Sequence, residues 1–380
     1  MVTGGMAIRS EADLSAHWRG SVAAEQAGDL QAAEAGYRAI VAAVPTHAPA
    51  LRRLAGIGRR RYGDVEAAMA LLDRALAARP DYWPAALDLA DMKQQAGAFA
   101  AAAALYERGL SAAEKPDPAR LSNYVAVLLK LGRFAEALEV AERHRATGAE
   151  SANVTAYRAQ ALWELGRDQE ALRLSDPDVF AYARRPSPPE GYGDLVAFNA
   201  DLVAAFETHP TLTDTWDPTL RAARGGRVTE NLFQPGMAAS PPIAAFRGMI
   251  EREAQALAAE IADTPGHPFF GRRPKQPFEI VSWANLMPGQ GVQAPHIHNL
   301  GWLSGVYYPK LPAALGDAGD HAGWLGFGRP GYGIEAVRPP PVRYIRPEVG
   351  LMVCFPSYIW HWTEPFEGAE ERVSVAFDVA

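Results

Sequence analysis

Two periods of apolar and polar positions divide the chain. Over the first half, alanine- and leucine-rich stretches with helical periodicity recur around evenly spaced glycines: QAGDLQAAEAGY, RYGDVEAAMALL, QAGAFAAAAALY, KLGRFAEALEVA and ELGRDQEALRL. The anchors Gly28, Gly63, Gly97, Gly132 and Gly166 stand 35, 34, 35 and 34 residues apart. Five residues after each comes an alanine: Ala33, Ala68, Ala102, Ala137 and Ala171. Glycine accepts the positive φ that closes a turn after a helix, and the small alanine lets the next helix pack close. Pro45 and Pro80 fall where the second helix of the first two repeats should end. From about Phe278 the period changes to that of strands. FEIVSWANLM, VQAPHIHN, WLSGVYYPKL, GWLGFG, VRYIRP, LMVCFPSYIWHW and RVSVAFDVA are short β-branched or aromatic runs separated by turn residues. Between the two patterns lie SDPDVFAYARRPSPPEGYG, a proline- and glycine-rich boundary at 175–193, and helical stretches at 201–209 and 243–263.

The glycine–alanine repeat resembles the tetratricopeptide repeat, a 34-residue helix–turn–helix unit. The resemblance covers residues 12–176 and implies an all-α array of stacked pairs. Such arrays present a concave groove to a peptide or protein partner, or simply stabilise a neighbouring domain.

Composition narrows the function classes. Of 380 residues, 48 % are hydrophobic and 21 % charged, as in a globular protein. A net charge of −7 without a basic stripe argues against nucleic acid or an anionic membrane surface as the main partner. The N-terminal residues do not read as a signal peptide, and no run reaches the ~18 apolar residues of a spanning helix. Cys354 is the single cysteine, which excludes an internal disulfide framework and fits a reducing cytoplasm.

The strand period also organises the candidate chemistry. Side chains at i and i+2 of a strand share a face, so His296 and His298 point together while Ile297 points away. His361 ends another strand run, 65 residues on, and Arg372, Ser374 and Ala376 alternate with Val373, Val375 and Phe377 eleven residues later. A lone strand histidine is more often a hydrogen-bonded filler than a ligand. It is the joint pattern of three histidines with Arg372 and Ser374 that points to a metal centre. Trp283, Trp302 and Trp324 read as core or channel wall, and Asn299 as a turn residue.

That joint pattern resembles the Fe(II)- and 2-oxoglutarate-dependent oxygenases, which carry His-x-Asp/Glu, a distal histidine and Arg-x-Ser. HIHNLGWLSGVYYPKLP and EVGLMVCFPSYIWHWTEP look like a bacterial and phage group with His-x-His in place of His-x-Asp. The resemblance covers residues 192–380, with 177–191 as linker, and implies an α+β domain with a double-stranded β-helix (jelly-roll) core. It further implies Fe(II) held by His296, His361 and His298, with 2-oxoglutarate and O2 as cosubstrates. The distal carboxylate of 2-oxoglutarate would lie on Arg372 and Ser374, with one of Tyr307 and Tyr308 facing it. Histidine replaces the acidic ligand of the usual facial triad, so two models stand: three imidazole ligands, or His296 and His361 alone with water in the vacant position. The implied activity is hydroxylation of an unactivated C–H bond, in a protein or peptide recruited by the repeats. Small-molecule oxygenation, a three-histidine zinc hydrolase and a non-catalytic binding module are the alternatives.

Overall fold

The computed structural model describes residues 8–115, 117–146, 151–214, 223–234, 240–261, 267–271, 274–299, 301–313, 315–316 and 319–380. The chain divides into two compact units, Met1–Arg133 and Phe134–Ala380.

The first unit is a row of antiparallel helices: α1 (Glu11–Gln26), α2 (Leu30–Ala43), α3 (Ala48–Tyr62), α4 (Val65–Ala78), α5 (Trp83–Gln95), α6 (Phe99–Ala112) and α7 (Pro118–Lys130). The repeat is built as its sequence implies. All five anchor glycines, Gly166 in the second unit included, have φ between 67° and 81°, and the five alanines are no more than 2 % exposed. Asp29 and Asp64, directly after their glycines, cap α2 and α4 by accepting from Ala32 N and Ala67 N. Leu51, Leu72, Leu89 and Met92 fill the space between successive pairs.

The second unit begins with α8 (Phe134–Ala146), α9 (Ala152–Glu164) and α10 (Asp168–Ser175), followed by α11 (Pro177–Phe180). The sequence pattern assigns α8 to α10 to the repeat array; all three fall in the second compact unit, where α9 and α10 contact its strand-bearing part. Arg338 pairs with Asp168 at 2.8 Å and its guanidinium lies 4.7 Å from the Trp163 ring. Trp163 Nε1 donates to Pro339 O at 3.2 Å, and the Tyr157 and Trp360 rings are 6.1 Å apart. The segment expected as a linker also carries structure. Its strand β1 (Tyr182–Arg184) pairs with Met352–Cys354. Three residues are too few to show a period of two beside so many prolines.

After β1 come α12 (Leu195–Glu207), β2 (Ala223–Arg224), β3 (Arg227–Val228), α13 (Pro241–Glu260), β4 (Ile280–Met287), β5 (Val292–His296), β6 (Leu303–Lys310), β7 (Leu325–Phe327), β8 (Arg343–Ile345), β9 (Met352–Pro356), β10 (His361–Thr363) and β11 (Arg372–Val379). They form two antiparallel sheets, ordered β1-β9-β6-β11-β4-β3 and β2-β5-β10-β7-β8. β11 pairs with β4 along its whole length, Arg372 opposite Met287 through Val379 opposite Ile280. Phe377, on one face of β11, packs edge-on against Phe246 of α13 at 6.4 Å. The other face, Arg372, Ser374, Ala376 and Asp378, is turned toward the histidines.

One strand run breaks differently from its sequence pattern. LMVCFPSYIWHW is two strands in different sheets, because Pro356 has no N–H to continue the ladder and a turn closes with Ile359 N donating to Pro356 O at 2.9 Å. His361 therefore begins β10 rather than ending a strand. Among the described residues no helix is long and apolar enough to cross a membrane.

Candidate metal centre

Strand pairing fixes two of the histidines. His296 ends β5, His361 begins β10, and the two are directly opposed in the ladder, with ring centroids 4.2 Å apart. His298 lies two residues beyond the end of β5, so the strand period does not hold it. Instead its main-chain N–H donates to Ser357 O at 2.9 Å. Tyr332 pins the intervening residue, its hydroxyl accepting from Ile297 N at 3.2 Å and donating to Ile297 O at 3.1 Å. One ligand nitrogen from each of the three rings lies within 4.8 Å of the others.

Hydrogen bonding decides which nitrogens these are. Nδ1 of His296 lies 2.8 Å from Ala294 O, and Nδ1 of His361 lies 3.0 Å from Ile359 O. A carbonyl only accepts, so both rings carry their proton on Nδ1 and leave Nε2 as a bare acceptor. His298 Nδ1 lies 2.5 Å from Asp378 Oδ1, and a carboxylate likewise calls for a proton on Nδ1. His296 Nε2 and His298 Nε2 lie 3.3 Å apart, and with both rings neutral no hydrogen lies between them. Two lone pairs so placed repel unless a cation sits between them. Two nitrogens bound to one ion at ~2.1 Å and near-tetrahedral to octahedral angles would be ~3.0–3.4 Å apart, so the spacing fits a metal. Burial first, and then the neighbouring histidine, push the His296 pKa down to about 3. Burial, His296 and His298 hold His361 well below the ordinary range. Neutral imidazole is the form a metal requires.

Asp378, beside the histidines, is among the residues that the sequence reading does not single out. It stands next in the inward row after Arg372, Ser374 and Ala376, and that alternation was the available signal. Ser304 Oγ donates to the same carboxylate oxygen at 2.6 Å and has Ser357 Oγ at 2.8 Å. A hydrogen-bonded carboxylate behind a ligating histidine fixes the tautomer and raises ligand basicity.

Arg372 is 1 % exposed. Nη1 donates to Gly323 O and Nη2 to Thr363 Oγ1, each at 3.3 Å, while Nε has no hydrogen-bond partner. None of these partners is a carboxylate. A buried guanidinium without a counter-anion is costly, and burial lowers its pKa. Thr363 is two residues after His361 on β10, a spacing of ~6.6–7 Å.

Residues 281–378 match the family model described as "Putative 2OG-Fe(II) oxygenase". The matched span holds the three histidines, Arg372, Ser374 and Asp378. Among solved structures, the chain is similar to a MamA protein of AMB-1, at 20 % identity over 43 % of this chain and 88 % of that one, with a TM-score of 0.37. It is similar to a Pseudomonas putida prolyl-4-hydroxylase at 16 % identity over 54 % and 95 %, TM-score 0.36. YrrB, described as a TPR protein with an unusual peptide-binding site, aligns at 16 % identity over 42 % and 82 %, TM-score 0.37. A search of curated protein sequences gives no match.

In this oxygenase-like region the histidines open on a cavity of about 610 Å³ between the two sheets, lined also by Trp283, Ser374 and Tyr308. The two tyrosines separate cleanly. Tyr308 faces the cavity, and burial pushes its pKa up to about 12 against the opposing pull of Arg372. Tyr307 points the other way and donates to Asn199 of α12 at 2.7 Å, so it packs the sheet against a helix. Of the three tryptophans singled out, Trp283 lines the cavity, 5.4 Å from the His298 ring. Trp302 donates to Phe269 O and Trp324 to Gly316 O. Asn299 is exposed in a bend, as a turn residue.

Proposed function

We propose that the second unit is an Fe(II)- and 2-oxoglutarate-dependent oxygenase that hydroxylates an unactivated C–H bond of a polypeptide. The observation that carries this reading is the convergence of three imidazoles on one point, with a buried arginine that lacks an anion and donates to Thr363, two residues along β10 from His361. His296, His298 and His361 would hold the metal. Iron with a 2-oxo acid supplies oxidation of a C–H bond by dioxygen.

The remaining roles belong to the chain. Arg372 and Ser374 bind the distal carboxylate of the cosubstrate, beside Tyr308. The dry site strengthens that charge-assisted contact. Asp378 holds His298 in the tautomer that aims Nε2 at the metal. It also supplies, one residue removed, the negative charge that an acidic ligand would have brought. The closed floor of the cavity, with Trp283 and Tyr308, keeps bulk water from the reacting atoms. The helical repeats carried on the same chain support a polypeptide substrate, since such arrays offer extended binding surfaces. Incubation of the full chain with Fe(II), 2-oxoglutarate and air should yield succinate, and His361→Ala should abolish it. Absence of succinate from the iron-loaded wild type, with and without a peptide library, would reject the reading.

A further inference from the structure

The cavity floor crosses three neighbouring strands at one level. Ser374 of β11 lies opposite Asn285 of β4, which lies opposite Val228 of β3, and all three line the cavity. Asn285 is 1 % exposed, yet neither Oδ1 nor Nδ2 has a hydrogen-bond partner. Native structures rarely leave a buried carboxamide wholly unpaired, because both ends have given up water for nothing. An orphan in the floor of a ligand cavity, beside the serine proposed for the cosubstrate, points to a ligand group that pairs with it.

The inventory of its atoms restricts that group. Nδ2 offers only donors and Oδ1 only lone pairs. A carboxylate satisfies Nδ2 and leaves Oδ1 stranded, and an ammonium does the reverse. An amide, with C=O and N–H on one planar unit, satisfies both. The rest of the lining has the same character. Gln293 of β5 and Gln234 line the cavity, Glu230 is the one carboxylate, and no lysine or arginine is among the described lining residues.

We propose that Asn285 anchors a subsite for a main-chain amide of the substrate, with Gln234 and Gln293 flanking the path of the peptide. This rests on the oxygenase reading of the cavity. It makes the substrate a polypeptide recognised by its backbone, not a small charged metabolite.

The test uses the full chain, labelled with nitrogen-15, in the presence of diamagnetic Zn(II) and without 2-oxoglutarate. The Asn285 side-chain amide pair is assigned by its loss in Asn285→Leu. Titration with N-acetylalanine N-methylamide, an uncharged probe with two peptide groups, should shift that pair saturably, whereas glutarate should not. Followed through the Trp283 indole N–H, Asn285→Leu should weaken the capped dipeptide about tenfold, as the loss of one or two neutral hydrogen bonds implies. A shift with glutarate alone would put Asn285 in the carboxylate site and overturn the proposal. No shift with either probe, or unchanged affinity in Asn285→Leu, would make Asn285 a packing residue and overturn it too. Because the readout involves neither iron nor turnover, failure here is distinct from failure to form succinate.

Discussion

At the scale of single residues, the centre separates three tasks that one acidic ligand usually combines. In the proposed site His298 would take the coordination position, Asp378, bonded to its Nδ1, would bring the charge, and Ser304, which donates to Asp378, would orient it. Asp378→Asn should therefore lower metal affinity ~10–100-fold, the loss expected for an outer partner of a ligating histidine. Chelator competition measures it. The same substitution in a His298→Ala background should add almost nothing, because Asp378 acts through that ring. Full additivity of the two would show that Asp378 works elsewhere. Arg372→Ala should leave metal affinity within a few-fold and cost ~2–5 kcal/mol of 2-oxoglutarate binding by calorimetry. An unaltered cosubstrate affinity would assign the buried guanidinium to structure alone.

At the scale of elements, legibility followed the length over which a period is repeated. The glycine–alanine spacing recurs five times and could be read directly. Each glycine adopts a left-handed φ and each alanine is buried at the helix crossing. Ala102 has no exposed surface, so Ala102→Leu should destabilise the first unit by ~1–3 kcal/mol in denaturant titration through overpacking. The inward row of β11 was legible for Arg372 and Ser374, and stopped short of Asp378 only because the family pattern ends at the serine. His298 is a different case. The period of two predicted that it joins His296, and it does. Yet β5 has already ended, and Asp378 holds the ring while Ser357 and Tyr332 hold the main chain of His298 and Ile297, contacts from chain segments 35 to 80 residues away. No local pattern encodes such contacts. The same limit hid the pairing of β1 with β9, whereas the turn that divides β9 from β10 is local and Pro356 was its available signal.

At the scale of the whole molecule, the compact units do not follow the sequence repeat. The last repeat helices, α9 and α10, are fastened to the strand-bearing unit by Arg338, Trp163 and Tyr157. A fragment of residues 134–380 should therefore fold cooperatively and keep metal and cosubstrate affinity. One of residues 177–380, which exposes the surfaces that α9 and α10 cover, should aggregate or melt at markedly lower temperature. Equal thermal stability of the two would show that these helices belong energetically to the repeats. In the proposed oxygenase three histidines and a buried arginine would hold Fe(II) and 2-oxoglutarate together. Anaerobic titration of the full chain with Fe(II) and then 2-oxoglutarate, followed by visible spectroscopy, tests it most directly. A charge-transfer band of the chelated 2-oxo acid should saturate at one equivalent, be lost in His361→Ala and be strongly weakened in Arg372→Ala. A protein that binds the metal but shows no such band with excess 2-oxoglutarate would contradict it.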